Sequence, residues 1–205
     1  MSLDGWLIFA GFWVVFVTSP GPNAANCIQN GMTYGFARAL WGVAGILTQA
    51  LLFLTLSALG VTALIATSPT AFTVAKFAGA TLLIWFGLRA WMRAHQPIAP
   101  IAASSHIYSR AFAIATLNPK SVAGYLAAFS QFVQTDVPIA QQMWVIVPTA
   151  LTITAASYAS YTALGAWLGR RALSAVANTT IRRVLAGCFI LYGLALGAAS
   201  FPERT

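Results

Sequence analysis

Apolar residues fill this chain in six long blocks, at 3–37, 40–66, 69–91, 109–133, 142–168 and 183–201, and polar residues gather in the gaps between them. Stretches 39–75, 137–169 and 184–202 carry no charged residue. A helix needs ~20 apolar residues to cross a bilayer, so the pattern predicts an all-α, polytopic membrane protein of about six transmembrane helices. The first block is too long for one straight span. Its 35 residues at ~1.5 Å rise would reach ~52 Å, against a hydrocarbon core of ~30 Å. It is expected to bend, with 3–17 entering the membrane and 22–35 continuing as a reoriented half-helix.

Two helix-breaking stretches sit at matching places in the two halves: Thr18-Ser-Pro-Gly-Pro-Asn23 and Leu117-Asn-Pro-Lys120. Each interrupts the first block of its half. An unsatisfied peptide group in lipid costs several kcal/mol, so such a break survives only where it lines a cavity or packs against protein. Paired Gly/Pro interruptions in corresponding segments point to the binding site of a transporter.

Composition agrees with a membrane setting. The chain is 59% hydrophobic and 7% charged, with mean hydropathy +0.78. A soluble surface ordinarily draws on about 25% charged residues, which this inventory cannot supply. The net charge of +8 does not signal nucleic acid, because the basic residues lie in short clusters between blocks rather than along one face. Arg38, then Arg89, Arg93 and Arg110, then Arg170, Arg171, Arg182 and Arg183 fall at alternate gaps. The positive-inside rule then puts both termini outside. Three helices per half make the second half enter from the opposite face, giving two inverted three-helix repeats in one domain over 1–205: repeat 1 at about 3–91, a cytoplasmic linker at 92–108, and repeat 2 at about 109–201. No signal peptide is expected, since Asp4 stands at the start of the first block where a basic region would be needed.

Candidate chemistry concentrates at the breaks. Proline is well placed in a helix's first turn, so Pro22 and Pro119 can each start a half-helix inside the protein. The N–H groups and positive dipole end of such a helix attract an anion. Carbonyls left at the ends of the preceding half-helices, around 17–19 and 115–117, can accept from an ammonium group. Together these suit a zwitterionic amino acid. The expected substrate-binding residues are Ser19, Pro20, Gly21, Pro22, Asn23, Asn26, Asn118, Pro119 and Lys120. At 100° per residue Asn23, Asn26 and Asn30 share a face, with Cys27 at its edge. A polar stripe there suits a wet pathway, and interhelical hydrogen bonding is the plainer alternative. Lys120, Gly124, Ala127 and Gln131 share a face of the second half, where a mid-segment charge is functional unless it snorkels to an interface. Tyr158, Tyr161 and Thr154 form a similar face, which packing would equally explain. Close helix packing or a dimer seam is expected at Gly31/Gly35, Gly165/Gly169 and Gly193/Gly197, so a homodimer stays open.

At these residues the chain resembles the lysine exporter (LysE) superfamily, in its homoserine/threonine/leucine efflux branch. The matching features are Thr18-Ser-Pro-Gly-Pro-Asn23 with Gly31, Gly35, Gly42 and Gly45, then Lys76-Phe-Ala-Gly-Ala80 leading to Trp85-Phe-Gly-Leu-Arg89, then Leu117-Asn-Pro-Lys120 followed by Ala127-Ala-Phe-Ser-Gln-Phe132. The resemblance implies a secondary transporter in the bacterial inner membrane, exporting amino acids or their derivatives.

Two rivals fit less well. A metal exporter, the alternative within that superfamily, needs carboxylate, thiolate or imidazole ligands in the membrane. The blocks hold none of the first or last, apart from acids at their ends, and Cys27 and Cys188 lie far apart. Both cysteines are expected to pack as small apolar side chains. His95 and His106 fall in the linker without companions for a metal site. An intramembrane protease needs a Ser–His pair or two aspartates, which are missing. No enzyme activity, cofactor or metal is expected, and the partners are a small amino-acid-like substrate and the bilayer.

Overall fold

The computed structural model describes residues 2–96 and 105–199, and among these every regular element is a helix. In chain order they are α1 (Leu3–Thr18), α2 (Pro22–Thr67), α3 (Pro69–Met92), α4 (Ile107–Leu117), α5 (Pro119–Phe132), α6 (Ile139–Leu168), α7 (Arg170–Val176) and α8 (Thr179–Ala199). Four helices are long and apolar enough to cross a membrane: α2, α3, α6 and α8. The chain is a multi-pass membrane protein. Leu117, Trp144 and Trp167, each more than three-quarters exposed, turn apolar surface outward where lipid replaces water.

Both anticipated breaks are present, and proline causes them. The residue before a proline is pushed out of the helical region by the ring's Cδ. Ser19, before Pro20, accordingly has ψ 121°, and Asn118, before Pro119, has ψ 111°. α1 therefore stops at Thr18 and α4 at Leu117, and new helices start at Pro22 and Pro119.

The block boundaries shift in instructive ways. Residues 22–67 form one element with a hinge at Gly35 (φ 72°, ψ 168°), a region that essentially only glycine occupies. The hinge turns the helix back on itself. A Cβ at Gly42 would lie 3.0 Å from the side-chain nitrogen of Asn30, whereas twelve residues of straight helix would span about 18 Å. The arms 22–34 and 36–67 thus run side by side. Gly169 (φ 56°) ends α6 in the same way, and the basic gap after it forms the short helix α7, which the hydrophobic pattern does not predict. Of the expected linker, residues 97–104 lie outside the described residues, while 92 still belongs to α3 and 107 already to α4.

α1 carries the aromatic centre of the bundle. Phe9, Phe12, Trp13, Phe16 and Val17 are buried at the spacing of one helical face. Their rings meet Phe132 and Tyr125 of α5 and Tyr192 of α8. Glycine then brings helices close. A Cβ at Gly31 would collide with the Thr162 carbonyl of α6, and one at Gly165 with the Ile28 carbonyl. A Cβ at Gly87 would lie 2.6 Å from Ile190 and 2.9 Å from the Ala186 carbonyl, and one at Gly193 would meet Ile84 and the Ala80 carbonyl at those same distances. Of the three small-residue pairs, Gly31, Gly165 and Gly193 are packing contacts between helices of one chain. Gly35 and Gly169 are instead backbone turns.

The arginines collect at one end, while Lys76 and Lys120 lie away from it. The Arg182 guanidinium donates to the carbonyls of Ala94 and Gln96, and Arg183 stacks on Trp91. Arg38 borders the start of α4 beside His106 and Tyr108.

Gly31→Ala and Gly165→Ala should each lower stability by about 1–3 kcal/mol, because the added methyl meets backbone rather than a movable side chain. Gly60→Ala, with open space around its Cβ, should not. Thermal unfolding in detergent micelles measures the difference, and equal losses at all three positions would contradict the packing.

Candidate functional site

The two breaks meet. Lys120, in the first turn of α5, reaches across to the end of α1, and its ammonium donates to the Ser19 carbonyl at 2.6 Å. The same ammonium lies over the rings of Phe16 (5.4 Å to the centroid) and Phe189 (5.9 Å). A cation over an aromatic face at such distances is held by the ring quadrupole, more strongly where water is excluded. Beside it is a cavity of about 70 Å³. Ser19, Pro20 and Lys120 give the cavity its polar side, and Leu83, Phe86 and Phe189 much of its apolar wall. Gly124 opens the space at the next turn, since a Cβ there would collide with the Phe16 ring.

The neighbouring carbonyl is also taken. Tyr161 of α6 donates its hydroxyl to the Thr18 carbonyl. Tyr158, whose ring centroid is 6.3 Å from that of Tyr161, accepts from the Asn23 side-chain nitrogen at 3.4 Å. One turn away Thr154 accepts from the Trp13 indole at 3.0 Å. The face Thr154–Tyr158–Tyr161 is thus the scaffold that holds the first break, and the bonding accounts for it better than a lipid-facing belt would.

Two expectations about the backbone change here. The carbonyls of Thr18 and Ser19 were candidates for a substrate ammonium, but the protein's own Tyr161 and Lys120 occupy them. The start of α5 is likewise partly engaged, because Asn118 caps it. Its side-chain oxygen accepts from Lys120 N at 3.1 Å and its carbonyl from Ser121 N at 2.9 Å. This is the usual work of an asparagine at a helix start. The charge presented to the cavity is therefore the lysine side chain more than a bare helix end.

Among the anticipated residues, Ser19, Pro20 and Lys120 line one cavity, and Asn118 and Pro119 fix where α5 begins. Gly21 has open space around it, and Pro22 opens α2 with Ala25 N bonding to the Gly21 carbonyl. Asn23, Asn26 and Asn30 are buried, as the shared face requires. Gln131 takes no part in the cavity, donating instead to the Lys76 carbonyl. Cys27 and Cys188 are free thiols. Sequence reasoning missed Phe16, Leu83, Phe86 and Phe189, because periodicity does not tell which helices become neighbours. It also missed Gln49, a buried amide and the one carboxamide of its block, which that singularity could have flagged.

Interrupted helices that meet around a partly buried lysine within an apolar bundle point to a membrane transporter. Residues 14–200 match the LysE-type translocator family, and the chain belongs to it. An uncharacterized membrane protein of Vibrio cholerae is 32% identical over 97% of this chain and 99% of its own length. The homoserine/homoserine lactone efflux protein of Salmonella typhimurium is 26% identical over 97% of this chain and 98% of its own. The leucine efflux protein of an Enterobacter species is 29% identical over 78% and 77%. No solved structure matches the chain.

Asn118→Ala should cost about 1 kcal/mol of stability through loss of the α5 cap, and Asn118→Ser should recover most of it. Thermal unfolding in micelles reads both. An alanine variant as stable as the parent would remove the cap from the account of the break.

Proposed function

We propose that the chain is a secondary transporter that exports neutral or zwitterionic amino acids or their derivatives, with the two breaks forming one central site. The observation that carries this reading is the Lys120–Ser19 contact, which joins the breaks beside a small, mostly apolar cavity. The substrate carboxylate pairs with the Lys120 ammonium and draws it off the Ser19 carbonyl. That exchange frees the carbonyl to accept from the substrate ammonium. The apolar wall receives the aliphatic part of the side chain. Ser19, Pro20, Asn118, Pro119 and Lys120 line or shape this site, with Gly21, Pro22, Asn23 and Asn26 continuing it along α2. The names of the homoserine/homoserine lactone and leucine efflux relatives support the substrate class and the outward direction.

The reading includes one domain built of two inverted repeats. In support, Gly87, Ala80 and Ile84 of α3 pack against Ala186, Ile190 and Gly193 of α8 reciprocally, at equal distances and one constant sequence offset. A two-fold relation between the halves generates such a pattern. The basic end of the bundle faces the cytoplasm of a bacterial inner membrane, with both termini outside.

Charge sets the selectivity. A second cation ~4 Å from the lysine ammonium is repelled by about 4 kcal/mol at an effective dielectric of 20. A lysine substrate meets that penalty with its side chain, and leucine, threonine or homoserine does not. Counterflow in proteoliposomes should therefore show exchange of the neutral amino acids and little of lysine. Lys120→Met should abolish exchange while the protein still inserts. Lysine exchanging as fast as leucine, or full exchange by Lys120→Met, would overturn the reading.

A separate test addresses orientation. A periplasm-active reporter should stay silent within residues 92–108 and work at Thr205. The reverse result would invert the protein in the membrane.

A further inference from the structure

Away from the lysine cavity, three buried amide groups have no hydrogen-bond partner among the described residues: the side-chain oxygen of Asn23 and the side-chain nitrogens of Asn26 and Gln49. They are only 5%, 1% and 1% exposed. A buried polar atom without a partner is rare in folded proteins and costs more inside a bilayer, where no solvent relieves it.

The hinge in α2 brings these groups to one level. The Asn30 side chain lies against Gly42, which fixes where the two arms pass each other. Asn23 stands seven residues back from Asn30 on the first arm, and Gln49 seven residues on from Gly42 on the second. Seven residues are about two helical turns, ~700° in all, so each returns to the face of its reference contact at nearly the same height. Asn23 and Gln49 therefore stand across from each other, with Asn26 one turn toward the hinge. Tyr158 closes the side toward α6 through its bond with Asn23.

The unpartnered atoms have a definite chemistry: two amide nitrogens that donate, from Asn26 and Gln49, and one amide oxygen that accepts, from Asn23. No charged side chain belongs to the group. A carboxylate would lack a counter-charge, and an ammonium would face two donors. An uncharged oxygen that accepts from the amides and donates one O–H to Asn23 satisfies all three. We infer that Asn23, Asn26 and Gln49 form a second, uncharged subsite that recognises a hydroxyl group on the transported molecule. The subsite rests on the exporter reading above and adds to it. The lysine cavity takes the carboxylate end, and this amide group discriminates substrates by a neutral polar side chain. The same chemistry would fit a resident water, which would give no discrimination.

Counterflow separates the two sources. Unlabelled homoserine and 2-aminobutyrate, which differ only by the hydroxyl, compete for exchange of labelled homoserine through the wild-type protein. Homoserine should compete at least tenfold better, because a site built to bond a hydroxyl rejects the analogue that leaves its groups unpaired. In Gln49→Met, matched in length but apolar, the ratio of homoserine to leucine exchange should fall about tenfold. Equal competition by homoserine and 2-aminobutyrate means a water-filled group only and overturns the inference. So does an unchanged ratio in Gln49→Met. If that variant fails to insert, the wild-type competition decides alone. A wild-type protein that exchanges leucine but shows no hydroxyl preference refutes the subsite and leaves the exporter reading standing. One that exchanges none of these amino acids refutes the exporter reading, and the subsite with it.

Discussion

A helix interrupted inside a bilayer must have its freed backbone groups bonded by the protein, and the structure is organised around meeting that requirement. Pro20 takes the backbone out of the helix at Ser19, which exposes carbonyls at the end of α1. Two side chains from distant parts of the sequence then bond them: Tyr161 from α6 at Thr18, and Lys120 from α5 at Ser19. Neither bond forms unless α1, α5 and α6 converge. The aromatic cluster on α1 and the glycine contacts between α2 and α6 bring that convergence about. Local proline chemistry and global packing thus depend on the same few contacts.

The same contacts explain why a charge is tolerated at this depth. The Lys120 ammonium has a carbonyl, two aromatic faces and a small cavity around it. These groups hold a cation without neutralising it, so its net charge remains available to an anion. A carboxylate in the cavity would convert a solitary, partly buried charge into a pair, and that difference is a source of binding free energy. Under the proposed function, selection against cationic substrates would come from the identical feature.

Much of this was legible in the sequence, and the limit is physical. The breaks at Pro20 and Pro119 were readable because proline acts on its immediate neighbour, and the helix starts followed from them. The burial of Asn23, Asn26 and Asn30 on one face followed from helical periodicity. The end of the half-helix at Gly35 was readable from block length, but not that Gly35 makes the turn instead of packing as Gly31 does, since a glycine that packs and a glycine that turns look the same in sequence. The bonding of Thr18 and Ser19 by Tyr161 and Lys120 spans more than a hundred residues and needs the tertiary arrangement. So do the cavity walls from α3 and α8.

The central claim is that the two breaks share one site, and cross-linking between them tests it most directly. With Cys27 and Cys188 replaced by serine, cysteines at positions 19 and 120 would be treated with a short bis-maleimide in membrane vesicles. The account predicts an efficient intramolecular link between positions 19 and 120. Absence of a link, with both cysteines reactive toward a monofunctional maleimide, would contradict it.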